Sequence, residues 1–298
     1  MFCNKLELKN FRNVEEASVE FTDGVNILLG SNAQGKTNLL EAIYTASAGK
    51  SFRATKEAEL LRFGCDHAGI SLEFTDTRRQ RIDIKYMAGR RRQIEINGNK
   101  ITKLSDMVGR FRCVLFCPEH LSLIKGAPAE RRAFLDEAIS QLRPMYLVAL
   151  TKYEKILKQR NTLLRNAQDD RSTFSDTIGY WSEALAHEAA ILSRFRESYA
   201  EQVQNFMQAC FVQMSEKTGK TDEVPTLTYR GSSEQESYRD LGETKEKYVK
   251  LLTNNVEREI FAGTTLYGVH KDDLEICLGG KPARQFASQG QQRSLALA

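Results

Sequence analysis

The chain has 298 residues, 41% hydrophobic and 28% charged, with a formal net charge of +4, which is enough for one large domain or two smaller ones with a proper core. Its start, MFCNKLELKNFRN, has no apolar leader, and no run of about 18 apolar residues occurs, so neither a signal peptide nor a membrane span is expected and the cytoplasm is the default location. The six cysteines form no CxxC pair and only four histidines are present; a disulfide framework or zinc site is therefore not expected, and several cysteines should pack, reduced, in cores.

From Phe2 to about Cys117 the pattern favours strands. KLELKNF alternates, GVNILLG is a short apolar run read as a strand, ISLEFTD and RIDIKYM alternate again, and QIEINGNKI carries Asn97-Gly98 at a hairpin tip. Between the second and third of these lies GSNAQGKT, residues Gly30, Ser31, Asn32, Ala33, Gln34, Gly35, Lys36 and Thr37. It matches the phosphate-binding loop G-x-x-x-x-G-K-[ST], after an apolar run and before an amphipathic helix. Gly30 and Gly35 let the backbone wrap a phosphate, and N–H groups at the helix start point at the anion. Lys36 is expected to reach the β- and γ-phosphates of ATP, and the Thr37 hydroxyl to hold Mg²⁺.

The segment RRQRIDIKYMAGRRR sets Arg78, Arg79, Arg81, Lys85, Arg90, Arg91 and Arg92 against one acid, Asp83. Such a patch on a hairpin suits the phosphates of duplex DNA rather than base edges. A solvated strand pair fits the same residues equally well. Tyr86 is the one aromatic inside the patch, so stacking on single strands is not favoured.

From about Pro128 to Met214 the spacing turns helical. Ile178, Trp181, Leu185, Ala189, Leu192, Phe195, Tyr199, Val203, Phe206 and Cys210 form one stripe. Tyr146, Leu150, Tyr153, Leu157 and Leu164 form a second, interrupted by Arg160. The polar stretch Asn166 to Asp176 between them predicts an antiparallel helical hairpin. After Pro225 strand signals return in TLTYR, TTLYGVH and LEICLGG, with a helix expected from Thr244 to Phe261. The order predicts an N-terminal lobe over 1–125, a helical insertion over 126–224, and a return to the first lobe over 225–298. Last comes SQGQQRSLALA, a serine, a glycine and glutamines opening a small apolar helix. A polar helix cap accounts for it when it is taken alone.

A phosphate loop by itself does not choose between kinase, GTPase, motor and transporter-type ATPase. LELKNFRN, GSNAQGKTNLLEAIY, KSFR, APAERRAFLD, GVHKDDLEI and SQGQQRSLALA together choose: in this order the chain resembles the RecF family, within the class of ABC-type ATPases that includes the chromosome-maintenance proteins. The resemblance implies an α/β ABC-type head with an inserted α-helical lobe. It implies an ATP- and DNA-binding protein of replication and recombinational repair (gap repair and SOS induction), which pairs with a second copy when ATP is bound. Its DNA would be gapped or contain single strands, and RecO and RecR would be partners.

The resemblance also makes Ser288, Gln289, Gly290 and Gln291 a signature motif that meets, in trans, the ATP held by the other subunit. Gln289 stands where the transporter version has its first glycine. No aliphatic run ending in two acids follows or precedes, since Asp272 and Asp273 come after His-Lys. The chain is therefore expected to be truncated and to bind ATP without appreciable turnover.

Three further residues stay open. Arg53 in KSFR suits a phosphate, a partner or plain solvent; Glu119, in FCPEHL after a stretch read as a buried strand, suits a Mg²⁺ and nucleotide sensor or a helix cap; His270 suits a dimer interface, by resemblance, or a turn. Arg131 and Arg132 are expected to face solvent. The rival readings are a fragment of a long-armed chromosome-maintenance ATPase and a P-loop small-molecule kinase.

Overall fold

The computed structural model describes residues 1–169, 174–216 and 223–298. The chain divides into two compact units, one of residues 1–115 and 140–144, the other of 116–139 and 145–298.

The first unit is built on a six-stranded antiparallel sheet of β1 (Phe2–Phe11), β2 (Val14–Glu20), β3 (His67–Thr75), β4 (Arg79–Met87), β5 (Gln93–Ile96) and β6 (Asn99–Ile101), in the spatial order β2-β1-β3-β4-β5-β6. Register follows from the period-2 pattern, which puts Leu8, Ile70, Ile84 and Ile94 in one cross-strand row and Leu6, Leu72, Ile82 and Ile96 in the next. All eight are buried, while Glu7, Ser71, Asp83 and Glu95 stand in rows on the opposite face. The β5–β6 turn has Asn97 at φ +50° and Gly98 at φ +79°, the left-handed pair that a two-residue hairpin needs. Helix α1 (Lys36–Ala48) packs on the sheet through Ala42 and Ala46, both fully buried and small enough for close approach.

Two expected strands of this unit are not formed. Residues 25–29 are outside any strand, with Val25, Ile27 and Leu29 exposed, and so is the stretch through Val114 and Phe116 that precedes Pro118. An extended segment becomes a strand only when a neighbour takes its N–H and C=O groups, and no described strand pairs with either.

The second unit holds α2 (Ser122–Lys125), α3 (Pro128–Leu142) up to residue 139, α4 (Pro144–Asn166) from residue 145 and α5 (Phe174–Glu216), followed by β7 (Pro225–Arg230), α6 (Leu241–Asn254), α7 (Val256–Ala262), β8 (Asp273–Leu278), β9 (Lys281–Pro282), α8 (Ala283–Phe286) and α9 (Gln289–Leu297). Helices α4 and α5 run antiparallel, because Tyr146 meets Arg196, Lys152 meets Glu188 and Arg160 meets Ser182. The expected polar connection falls partly outside the described residues.

The α5 stripe is internal at Ile178, Leu185, Ala189 and Leu192, but towards its end Met207 and Phe211 are buried and Phe206 is 74% exposed. Arg160, which interrupts the α4 stripe, is buried and donates to the equally buried Glu259 at 2.7 Å, to Thr265 at 2.8 Å and to Ser182 at 3.1 Å. TTLYGVH is not a strand: its backbone is held instead by side chains, with Asn161 accepting from Thr265 N–H and Glu259 from Leu266 N–H.

Strand β7, helix α6 and strand β8 share one core with the helical pair, through Leu227, Tyr229, Tyr248, Leu252 and Leu274 beside Leu185 and Leu192. Residues 225–298 thus belong with the helices, a division different from the expected 1–125, 126–224 and 225–298. No cysteine is fully buried: five are partly covered and Cys210 is exposed, all as free thiols. Among the described residues no helix is long and apolar enough to cross a membrane, and no group of three or more His, Cys, Asp and Glu gathers for a metal.

Candidate functional site

The loop from Gly30 to Thr37 departs from ordinary backbone at three places: Gly30 at φ +148°, Ala33 at φ +65° and Gly35 at φ +89°. At Gly35 a side chain would also meet Val14 Cγ2 at 3.2 Å and Asn13 Oδ1 at 3.3 Å, so glycine is required by space as well as by φ. No side chain caps α1, and the Asn38 amide is spent on the Gly35 carbonyl at 2.9 Å, which leaves the Lys36 and Thr37 amides to face an anion. Lys36 Nζ donates to the carbonyls of Gly30 at 2.6 Å and Ser31 at 2.7 Å, folding the ammonium over the loop. Ser31, Asn32, Gln34 and Thr37 are exposed along the same stretch. The residues fit a nucleoside triphosphate: a cation and the Lys36 and Thr37 amides lie where glycines keep the backbone bare.

Around this loop stands a group of residues of which the sequence singled out Arg53 alone, and it is engaged with Glu41 and Asn38. Glu41, on α1, is fully buried and takes Arg12 through Nε at 3.0 Å and Nη2 at 2.5 Å, the Ser51 hydroxyl, and Arg53. Burial opposes ionisation there, but the hydrogen bonds from Arg12, Ser51 and Arg53 outweigh it and hold the carboxyl below the usual glutamate range. Arg53 also donates to Asn38 Oδ1 at 2.6 Å, Asn38 Nδ2 donates to Asn13 Oδ1 at 2.5 Å, and Asn13 Nδ2 donates to the Ala33 carbonyl at 2.9 Å. One signal for Glu41 was legible: it is the sole charge in NLLEAIYTASA, and a lone acid in such a run needs partners. Asn13 lay within the family-like NFRN segment but nothing there indicated its contact.

At the other end of the chain, Ser288 caps α9. Its Oγ accepts from the Gln291 N–H at 3.3 Å while Gln291 Oε1 accepts from the Ser288 N–H at 2.7 Å, and Gln291 Nε2 donates to Glu223. The helix is seated by Leu295, packed with Ile124, Phe211, Leu278 and Ala283. Ser288, Gln289 and Gly290 are exposed, and a Cβ on Gly290 would meet nothing within 4 Å.

GVHKDD is internal. His270 is hydrogen-bonded to the Tyr153 hydroxyl at 2.6 Å and to the Thr265 carbonyl at 3.0 Å, an arrangement met by a neutral ring with the proton on Nε2. Burial lowers its pKa to about 4. Asp272 is buried, accepting from Tyr229 and from the Ser232 N–H, and its pKa is raised by burial against the pull of Arg196. Arg131 and Arg132 do not face solvent as expected. Arg131 is buried and donates to Asp273 at 2.7 Å and 3.0 Å, while Arg132 donates to the Asp272 carbonyl at 2.8 Å. These arginines find their partners about 140 residues on, beyond the reach of local pattern.

The basic patch is largely neutralised. Arg79 pairs with Glu73; Arg81 lies 3.0 Å from Asp83, 3.3 Å from Glu73 and 3.4 Å from Glu7; Lys85 is 3.9 Å from Glu95. Arg92 donates to the Gly49 carbonyl at 2.6 Å and pairs with Glu57 at 3.2 Å. Arg78, Arg90 and Arg91 are exposed and form no ion pair among the described residues, Arg91 reaching only the Thr102 carbonyl at 3.4 Å. The side chain of Glu119 lies outside the described residues.

Comparison with known proteins bears on the whole chain. The RecF/RecN/SMC N terminal domain family matches residues 2–298. The DNA replication and repair protein RecF of Ruminiclostridium cellulolyticum is 36% identical over 306 residues, covering 100% of this chain and 79% of that one; the RecF of Shouchella clausii is 37% identical with the same coverage. Among solved structures, the recombination mediator protein RecF of the RecFOR pathway superimposes with a TM-score of 0.92 with ATP and 0.93 with ATPrS, at 32% and 31% identity, covering 99% of this chain and 78% of each. An SMC head bound to the C-winged helix domain of ScpA is 16% identical with a TM-score of 0.51 over 100% of this chain and 74% of that one, a likeness of fold alone.

Proposed function

The chain belongs to the RecF family of DNA replication and repair proteins, and from that premise we propose that it is an ATP-gated DNA-binding protein acting in gap repair and SOS induction in the cytoplasm. The observation that carries the reading is the loop from Gly30 to Thr37, with three left-handed residues and Lys36 folded over it. Relatives solved with ATP and ATPrS support the choice of ligand. In this reading the loop amides and Lys36 hold the β- and γ-phosphates, and the Thr37 hydroxyl holds Mg²⁺, which would neutralise charge on the phosphates. Asp272 and Asp273 are engaged internally, so in this reading neither positions an attacking water.

A second copy supplies Ser288, Gln289, Gly290 and Gln291 to the same ATP. Exposure of Ser288, Gln289 and Gly290, and a glycine at 290 that the chain's own packing does not require, support that reading. DNA contact falls to Arg78, Arg90 and Arg91, whose charges are not spent on acids among the described residues. RecO and RecR are the expected partners on gapped DNA, in keeping with the RecFOR pathway of the solved relatives.

Titration with a fluorescent ATP analogue and Mg²⁺ tests the nucleotide reading. The parent chain binds and Lys36→Ala does not. Equal binding by Lys36→Ala overturns the reading.

A further inference from the structure

We propose that Asn13 and Glu41 are positioning residues of the phosphate loop, acting through a hydrogen-bonded relay that ends on the Ala33 carbonyl. The proposal rests on the nucleotide reading above and adds the residues that shape the loop without touching its ligand. Ala33 is a residue with a Cβ held at φ +65°, a conformation that glycine takes freely and alanine does not. Something outside the loop has to hold it there. The contact that does so is the Asn13 amide, 2.9 Å from the Ala33 carbonyl.

Lys36 cannot serve this purpose. Its ammonium spans the carbonyls of Gly30 and Ser31, in the first half of the loop, and a phosphate competes for the same three protons. The Asn13 strap, by contrast, is independent of any ligand.

Asn13 in turn is fixed from two sides, and both lead to Glu41. Along one, Glu41 holds Arg53, Arg53 holds Asn38 at 2.6 Å, and Asn38 orients the Asn13 amide by donating to its oxygen at 2.5 Å, which leaves the Nδ2 protons for Ala33. Along the other, Glu41 grips Arg12 by two nitrogens. Arg12 is itself left-handed at φ +56°, in the β1–β2 turn that carries Asn13, and donates also to the Glu59 carbonyl at 2.9 Å. A carboxylate out of water, with its negative charge fixed by two guanidiniums, thus sets the turn and the relay together.

The test uses the full chain, an ATP analogue with Mg²⁺, and a rescue. Asn13→Ala, and Asn13→Asp, which keeps the shape but removes the donor, each weaken binding by about three- to tenfold, the cost of one hydrogen bond. The thermal midpoint stays at that of the parent. Glu41→Gln weakens binding in the same direction. Ala33→Gly, nearly silent by itself, restores most of the affinity in the Asn13→Ala background, because glycine adopts the left-handed conformation without a strap. A merely structural role for Asn13 would not respond to that second change.

Asn13→Ala and Asn13→Asp binding like the parent while Lys36→Ala is inactive, or no recovery with Ala33→Gly, overturns the relay and leaves the nucleotide reading standing. Undiminished binding by Lys36→Ala overturns both.

Discussion

His270 shows how an ionisable residue in a family-like motif can be spent on architecture. With its Nε2–H on the Thr265 carbonyl and its Nδ1 facing the Tyr153 hydroxyl, the ring is held neutral, and burial, with Lys271, Arg132 and Arg160 nearby, lowers its pKa from 6.5 to about 4. The unfolded chain therefore takes up the proton first as pH falls. The stability His270 contributes is complete above pH 6.5 and is lost between about 6.5 and 4, amounting to roughly 2 kcal/mol at pH 5. Urea midpoints at pH 7 and pH 5 check this: the parent loses more stability than His270→Gln over that interval, and equal losses would place the ring's titration outside the core. From the sequence, His270 was left between a dimer interface and a turn, Arg131 was expected to face solvent, and Arg160 showed only as a break in an apolar stripe. Their partners are Tyr153, Asp273 and Glu259, and local periodicity carries no information on pairings made through the fold.

At the scale of elements, β1, β3 and β4 were legible because each buries one face and their residues alternate accordingly. β2 was not, since VEEASVE lies on the sheet's edge with its acids exposed and has little apolar pattern. The runs GVNILLG and TTLYGVH had strand composition without a ladder to join, which composition does not reveal. In the hairpin of β4 and β5, four of the seven cations counted along one segment pair with acids, three of them, Arg79, Arg81 and Lys85, with acids contributed by neighbouring strands. If DNA phosphates meet the cations left over, Arg90→Ala combined with Arg91→Ala flattens the log–log salt dependence of duplex binding by about 0.9 for each phosphate no longer neutralised. Arg79→Ala with Arg81→Ala, whose charges are paired with Glu73, Glu7 and Asp83, changes it little. Equal slopes in the parent and the first double variant would return the hairpin to a solvated face.

At the scale of the molecule, the phosphate loop and the SQGQQ helix lie in different compact units, and each is complete as a local structure. The loop's glycines and its lysine stood out in the sequence because they are contiguous, whereas the strand expected before them does not form. The serine cap of α9 was readable too, as was the family; the relay from Glu41 to Ala33 was not, since it joins residues 12, 13, 33, 38, 41 and 53 through hydrogen bonds made by side chains. In the function proposed above, a second copy of the chain gives the two motifs a common purpose, with each ATP held by Lys36 of one subunit and Ser288 of the other. Sedimentation velocity with Mg²⁺ and a non-hydrolysable ATP analogue tests that claim directly. The parent chain is expected to shift from monomer to dimer on adding the analogue, while Ser288→Arg, which sets a bulky cation at the exposed helix start, still binds the analogue but stays monomeric. Dimerisation of Ser288→Arg to the same extent as the parent would contradict the shared site and reduce Ser288 to a helix cap.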